Sequence, residues 1–534
     1  MKKSIKNRQY QKKFYFSTCC FLIKTSWWGF SFLLVMTAFV GSASSDVSQN
    51  KYPAIFQRTA PVEPTINQNQ RNNSLSPQKQ PQTTTTVKTT ELSLSNIVFL
   101  AVANNTEIKN AYLDRIAQKQ DLAVAEDKFV PDLTPRLSFL LNRLGENNLS
   151  RTGEIGAKVE VRIPTGATVD FEWTGNAQSN AGNNASNSTN NDTLRQNFQV
   201  NVKQPLLRGA GIRLNRASIE IARFNETSNI INLKSTLIDT ITTAIAAYRE
   251  LLQAQERVKI EQLALKNAQE SLEVTQALID AGRVAPVDLV QNQANIASRR
   301  VSLLEAQNEL QARRATLLQI LDIDKNLNIA AETIPPVKPV SLDLDKLRQV
   351  ALVNRPNYLL SKINVDRNEL ELLQAKDARR WDLSLDLSMS DGTNQQADAK
   401  AGLSLSRTIG NLTLKQQSER ARIELLKAKN SLKDNRDTLD IELQDRVRDV
   451  NLSFSQLELA QRATQLSQRQ LEIEQEKRRL GRGTDIFQLI NLQDSLAQAR
   501  NAELDANIRY LNSLTNLDQF LGTTLQTWNV EIRN

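Results

Sequence analysis

The groups able to do bond chemistry are few in this chain of 534 residues. It contains no histidine, and its only cysteines are Cys19 and Cys20, close to the N-terminus. Thiol nucleophiles, His-based triads and nearly all zinc sites are thereby excluded from the rest of the chain. A carboxylate pair of the glycosidase type would remain, but no cleft-forming domain is legible to house one. The charged residues with a distinctive setting lie at two glycine turns. Gly282-Arg283 is followed by Pro286-Val287-Asp288, and Gly481-Arg482-Gly483-Thr484-Asp485 is followed by Gln488. At its plainest this is a helix C-cap followed by a new helix start, with Asp485 accepting backbone N–H groups as an N-cap. Arg478 and Arg479 then sit at a solvated helix end, complementing its dipole.

Each turn is reached along an apolar ladder with a seven-residue period. Leu251, Val258, Leu265, Leu272 and Ile279 precede Gly282; Leu452, Leu459, Leu466, Ile473 and Leu480 precede Gly481. A strict seven-residue period keeps one narrow stripe against a partner helix, so both ladders are expected to be coiled-coil core. Residues 215–281 and 414–480 form helices of 67 residues each, which at ~1.5 Å per residue reach roughly 100 Å. The helices that return from the tips carry ladders of their own, through Ile296, Leu303 and Leu310, and through Ile490, Ala497 and Leu504.

The hairpins belong to two related halves. At an offset of 250, Asn104 matches Asn354 and Asp132-Leu133 matches Asp382-Leu383. At an offset of 197, Asp288 matches Asp485, so the first half holds 53 extra residues (250 − 197) between those landmarks. The expected domains are 92–330, with strands at about 133–204 and a helical hairpin at 215–321, and 342–534, with strands at about 381–407 and a hairpin at 414–520. A Pro-rich extended linker at 331–341 joins them. Six strand-like runs are present, and they alternate. Ile155, Ala157, Val159 and Val161 oppose Glu154, Lys158 and Glu160; Leu383, Leu385 and Leu387 oppose Ser384, Asp386 and Ser388. About ten residues of apolar-out, polar-in alternation mark an outer-membrane barrel strand. The Asn-rich stretch 176–193 reads as a long external loop.

Residues 1–43 are expected to be a secretory signal. Lys2, Lys3, Lys6, Arg8, Lys12 and Lys13 precede an apolar run of about 14 residues, short of the ~20 a spanning helix needs, and Gly41-Ser42-Ala43 offers a cleavage site. Removing it takes away seven Lys/Arg and no acid, so the formal charge of +9 falls to about +2 (9 − 7) and nothing points to nucleic acid. Residues 44–91, rich in Gln, Asn, Thr and Pro, read as disordered.

Residues 92–528 resemble the TolC-like outer membrane efflux proteins. The most telling stretches are Gln204-Pro205-Leu206-Leu207-Arg208-Gly209-Ala210-Gly211 and the two tips. The resemblance implies a mostly α fold with a β-barrel part: two repeats of long coiled-coil hairpins, plus strands contributed to a trimeric outer-membrane barrel. It implies a passive homotrimeric channel tunnel of a tripartite efflux or type I secretion system, located in the cell outer membrane in contact with lipid and reaching into the periplasm. The expected partners are a periplasmic adaptor and an inner-membrane pump of RND or ABC type, with no enzyme activity and no cofactor. It places a pore constriction at Asp485, with Gln488 where a second acid is usual, and adaptor docking at Gly282, Arg283, Asp288, Gly481, Arg482 and Gly483. It also implies four strands per subunit, against the six runs here. The alternative reading is a coiled-coil scaffold of the periplasm or surface that encloses no pore.

Overall fold

The computed structural model describes residues 90–144, 148–181, 195–334, 336–393, 395–480 and 486–532. The expected signal and disordered lead-in fall outside this range, apart from a short first strand. That strand, β1 (Thr90–Leu92), precedes helices α1 (Leu94–Asn104) and α2 (Thr106–Glu126). Four strands follow: β2 (Asp132–Leu144), β3 (Asn148–Arg162), β4 (Thr168–Ala181) and β5 (Arg195–Pro205). β4 thus runs into the stretch expected to be loop. The first hairpin is α3 (Ile212–Asp280) and α4 (Val287–Leu321), and β6 (Ile329–Ala331) leads into the linker. The second half repeats the plan with α5 (Leu344–Asn354), α6 (Pro356–Asp377), β7 (Asp382–Gly392), β8 (Gln395–Ser406), α7 (Leu412–Arg479), α8 (Ile486–Leu521) and α9 (Thr524–Thr527).

The sequence explains where these helices begin and end. α3 starts directly after Gly211, whose φ of 110° only glycine holds without strain. Asn411 starts α7 by accepting from the N–H groups of Thr413 and Leu414. At 69 and 68 residues the two long helices slightly exceed their expected length. No proline interrupts either.

The large strands form one antiparallel sheet in the order β2-β3-β4-β5-β7-β8. The 53 extra residues therefore account for β3 and β4, a hairpin inserted between β2 and β5 with every ladder made. The parallel pair β1-β6 was not legible in the sequence, being three residues long on each side. It joins the core at mid-height of the helices, where the Tyr248 hydroxyl donates to Leu92 O (2.9 Å) and accepts from Glu332 N (3.0 Å). Tyr510 does the equivalent in the second half, donating to Lys338 O in the linker (2.9 Å).

On the tip side of that level the helices lie abreast as α4–α3–α8–α7; on the sheet side the row is α2–α3–α6–α7. The first ladder is buried or half-buried, as expected, with Leu251 and Val258 in the core. The second is not. Leu452, Leu459, Leu466, Ile473 and Leu480 are 45–67% exposed. The buried seam of α7 is a parallel one through Leu443, Val450, Leu457 and Leu471, displaced by two residues and packed on α8. α7 thus carries two seven-residue stripes, one used within the chain and one left open.

Candidate functional site

The sheet is a wall with two chemically distinct faces. Its register places Leu133, Val159, Phe171, Val200, Met389 and Ala399 in one row across all six strands. A neighbouring row on the same face runs through Ala157, Trp173 and Phe198. The opposite face is charged and internally bonded. Lys158 pairs with Asp170 (3.2 Å) and Glu160 (3.4 Å), Arg162 pairs with Glu160 (3.1 Å), and the Ser404 hydroxyl donates to Asp386 (3.0 Å). One face is compatible with hydrocarbon and the other with water.

The wall is fixed to the helices through the segment 205–215. Leu206 N donates to Leu383 O (2.7 Å) and Gly209 N to the buried Asp377 carboxylate (2.8 Å), which ties the first repeat to the second. Gly211 N donates to Thr165 O (3.0 Å), while Asn215 Nδ2 donates to Gly209 O (2.8 Å) and Gly211 O (3.0 Å). Lys128 Nζ closes the joint on Asn215 O (2.7 Å) and Ser218 Oγ (2.9 Å); burial and the nearby Arg162 charge hold its pKa below the usual lysine value. The turn of the inserted hairpin is thus built into the joint between strands and helices.

Toward the tips, the seam between the two hairpins changes character. At mid-height it is apolar, around Leu251, Leu252, Leu504 and Ile508. There Arg249 is buried, which lowers its pKa to about 10, and it donates to Leu511 O (2.8 Å), Asn512 Oδ1 (3.0 Å) and Thr515 Oγ1 (2.8 Å). It therefore stays protonated at neutral pH. Nearer the tips the contacts are polar. Asn501 Nδ2 donates to Glu261 Oε1 (3.4 Å), Gln493 Nε2 to Asn267 O (3.5 Å), and Arg478 Nη2 to Thr275 Oγ1 (3.4 Å). Thr275 in turn accepts from Asn292 Nδ2 (3.0 Å). The Arg299–Asp494 ion pair also joins the hairpins there, so the tip end of the seam is held by polar contacts where mid-height has an apolar cluster.

The expected site residues are distributed unevenly over this arrangement. Gly282 ends α3 at φ 70°, its N–H donating to Ile279 O (2.8 Å), and Arg283 N donates to Leu278 O (2.9 Å); both residues are exposed. Asp288 lies half-buried in the first turn of α4, and its carbonyl accepts from Asn292 (3.1 Å). Gln488 is exposed in the first turn of α8. Gly481, Arg482, Gly483 and Asp485 lie outside the described residues. Arg479 is exposed and pairs with Glu476 (3.5 Å), as a solvated helix end should. Arg478 departs from that expectation by reaching the other hairpin. Its partner Thr275 lies 203 residues away, and the only trace in the sequence is a Ser271–Thr275 pair set between ladder positions.

Residues 98–322 match the family model for outer membrane efflux proteins. Over that stretch the chain is similar to the outer membrane efflux proteins. Solved structures extend the likeness over both repeats. The outer-membrane channel OprN is 17% identical, with a TM-score of 0.60 over 80% of this chain and 90% of its own. VceC of Vibrio cholerae is 14% identical, with a TM-score of 0.60 over 80% and 96%. CmeC of Campylobacter jejuni is 15% identical, with a TM-score of 0.59 over 86% and 94%. No curated protein matches. These chains share the fold described above: long helical hairpins carrying an antiparallel sheet.

Proposed function

We propose that the chain forms a homotrimeric exit duct across the outer membrane and the periplasm. Cargo reaches it from an inner-membrane pump of RND or ABC type through a periplasmic adaptor, in tripartite efflux or type I secretion. Residues 1–43 act as its export signal. The observation that carries this reading is that every layer of the chain ends in open edges with exposed apolar side chains. In the tip half the edge helices are α4 and α7. The exposed stripe of α7 has its complement in Val287, Val290, Ala294, Ala297, Val301 and Leu304 of α4, spaced three and four residues apart and all exposed. Such an alternation is a coiled-coil seam without a partner. On the sheet side the edge helix α2 exposes Leu113, Ile116 and Val124, and α7 exposes Ile423, Leu426 and Ile441. The left edge of one copy fits the right edge of the next. Such a head-to-tail contact closes into a ring.

In this duct Asp485 of the three subunits converges at the tip entrance, with Gln488 three residues further along the chain. The ring favours cations and binds divalent ones. The test is single-channel recording in a planar bilayer with divalent cation added on the tip side. Wild type gives discrete conductance steps that the cation blocks. Asp485→Ala loses the block with a stability change of only ~1 kcal/mol, and Gln488→Asp strengthens it. Protein that stays monomeric in water without detergent and never conducts overturns the duct. An unchanged block in Asp485→Ala makes that residue a helix cap.

The tips are also the surface offered to the adaptor. Nothing lies within 4 Å of a side-chain carbon added at Gly282, so Gly282→Leu there meets only the left-handed backbone strain of about 1–2 kcal/mol. Gly282→Leu combined with Gly481→Leu is expected to leave assembly intact and abolish export, measured as sensitivity to a pump substrate. Normal export would make the tips mere helix ends.

A further inference from the structure

We infer that three copies of this chain close an eighteen-stranded barrel, with the β3–β4 hairpin as part of its wall, and so open a wider outer-membrane aperture than four strands per chain could make. The inference rests on the trimeric duct proposed above and assigns edge strands β2 and β8 to pairing with further copies of the chain.

β3 pairs with β2 from Asp132–Glu160 to Leu144–Asn148, and β4 pairs with β5 from Thr168–Lys203 to Asn176–Arg195. The hairpin is interposed between β2 and β5, and taking it out of the wall would break both ladders. Its faces also agree with those of its neighbours. Val159 and Phe171 continue the apolar row from Leu133 to Val200, and Lys158 and Asp170 lie on the charged side. An insertion lying inside the lumen or above the membrane would have no reason to keep that match.

β2 leaves the helical layer and β8 returns to it, with strict antiparallel alternation between them. β8 of one copy beside β2 of the next is therefore again an antiparallel pair. They are 12 and 13 residues long, so the new ladder can be as complete as those within the chain. Closure also removes two open sheet edges that would otherwise invite aggregation.

Four helices abreast at about 9 Å occupy about 36 Å of circumference per chain. Six strands spaced about 4.8 Å and tilted about 40° occupy about 38 Å, whereas four would occupy about 25 Å. Six strands thus continue the helical row without a taper. The resulting barrel is about 36 Å across between backbones, against about 24 Å for twelve strands at the same tilt. Barrels of 16–18 strands hold an open aqueous channel. The narrow point of the duct is then at the helical tips, and the outer-membrane end admits bulkier cargo or polymer from outside.

Electron cryomicroscopy of the full chain in nanodiscs should resolve eighteen strands in the trimer. Thiol labelling supplies a second readout, on a background of Cys19→Ser and Cys20→Ser that leaves no native thiol. In the assembled trimer, Lys158→Cys should react with a membrane-impermeant maleimide and Val159→Cys only with a lipid-soluble one. A trimer with twelve strands, or one in which both thiols react with the impermeant reagent, overturns the wider barrel and leaves the duct standing. Absence of any trimer or pore overturns both.

Discussion

Leu459→Glu combined with Leu466→Glu should turn the assembled protein into folded monomers and abolish export. These side chains are 64% and 66% exposed in the single chain, so their replacement disturbs nothing within it. Burying a leucine or isoleucine contributes about 1.5–3 kcal/mol, and the open stripe of α7 supplies four leucines and Ile473 to each of three contacts. Two carboxylates placed in a dry seam reverse that gain, because an unpaired buried charge costs several kcal/mol. The control is Leu457→Glu. Leu457 is 2% exposed and belongs to the stripe that packs within the chain, so that variant should lose folded protein altogether. Light scattering of detergent-purified protein separates the outcomes. A trimer surviving in the Leu459/Leu466 variant would mean that the open stripe of α7 faces solvent or the duct interior.

The two stripes of α7 also show how far the sequence can be read. A seven-residue period states that a helix meets a partner along a narrow line; it does not state whether that partner lies in the same chain. Leu452 to Leu480 and Leu443 to Leu471 have the same period and differ by two positions, and only packing assigns the second set to α8. Strand alternation has a matching limit. It told which face Val159 and Lys158 occupy but not which strand lies beside β3, so the place of the inserted hairpin became clear only from the ladders. The duplicated plan was legible because its landmarks recur at constant offsets. The Thr275–Arg478 contact was not, since polar partners 203 residues apart leave no periodic trace. Asn215 shows the same limit on a smaller scale. It reads as an unexceptional helix-start residue, yet its amide holds Gly209 and Gly211 in place.

Gly166→Val should remove most of the folded protein from the outer membrane, while Gly282→Val is expected to fold and accumulate there like wild type. Both glycines have positive φ, 103° and 70°, so both variants carry about 1–2 kcal/mol of backbone strain. Their surroundings differ. A side-chain carbon at Gly166 would lie 2.2 Å from Gly209 O, 2.8 Å from Asn215 Nδ2 and 3.0 Å from Pro205 Cγ. Two of these neighbours cannot yield. The Gly209 carbonyl is held by Asn215, its own N–H by Asp377, and Pro205 closes the β5 ladder opposite Ser384. The turn must therefore lift off the joint, losing the Gly211 N to Thr165 O bond and exposing the buried Ala167 beside it. Strands β3 and β4 lose their anchor on the helices while remaining paired with β2 and β5. Heat-modifiable mobility on gels and protease protection in outer-membrane fractions would report the loss, with Gly282→Val as the reference for strain alone. If Gly166→Val accumulates and resists protease like wild type, the hairpin turn is a free loop and the joint is carried by β5 and β7 without it.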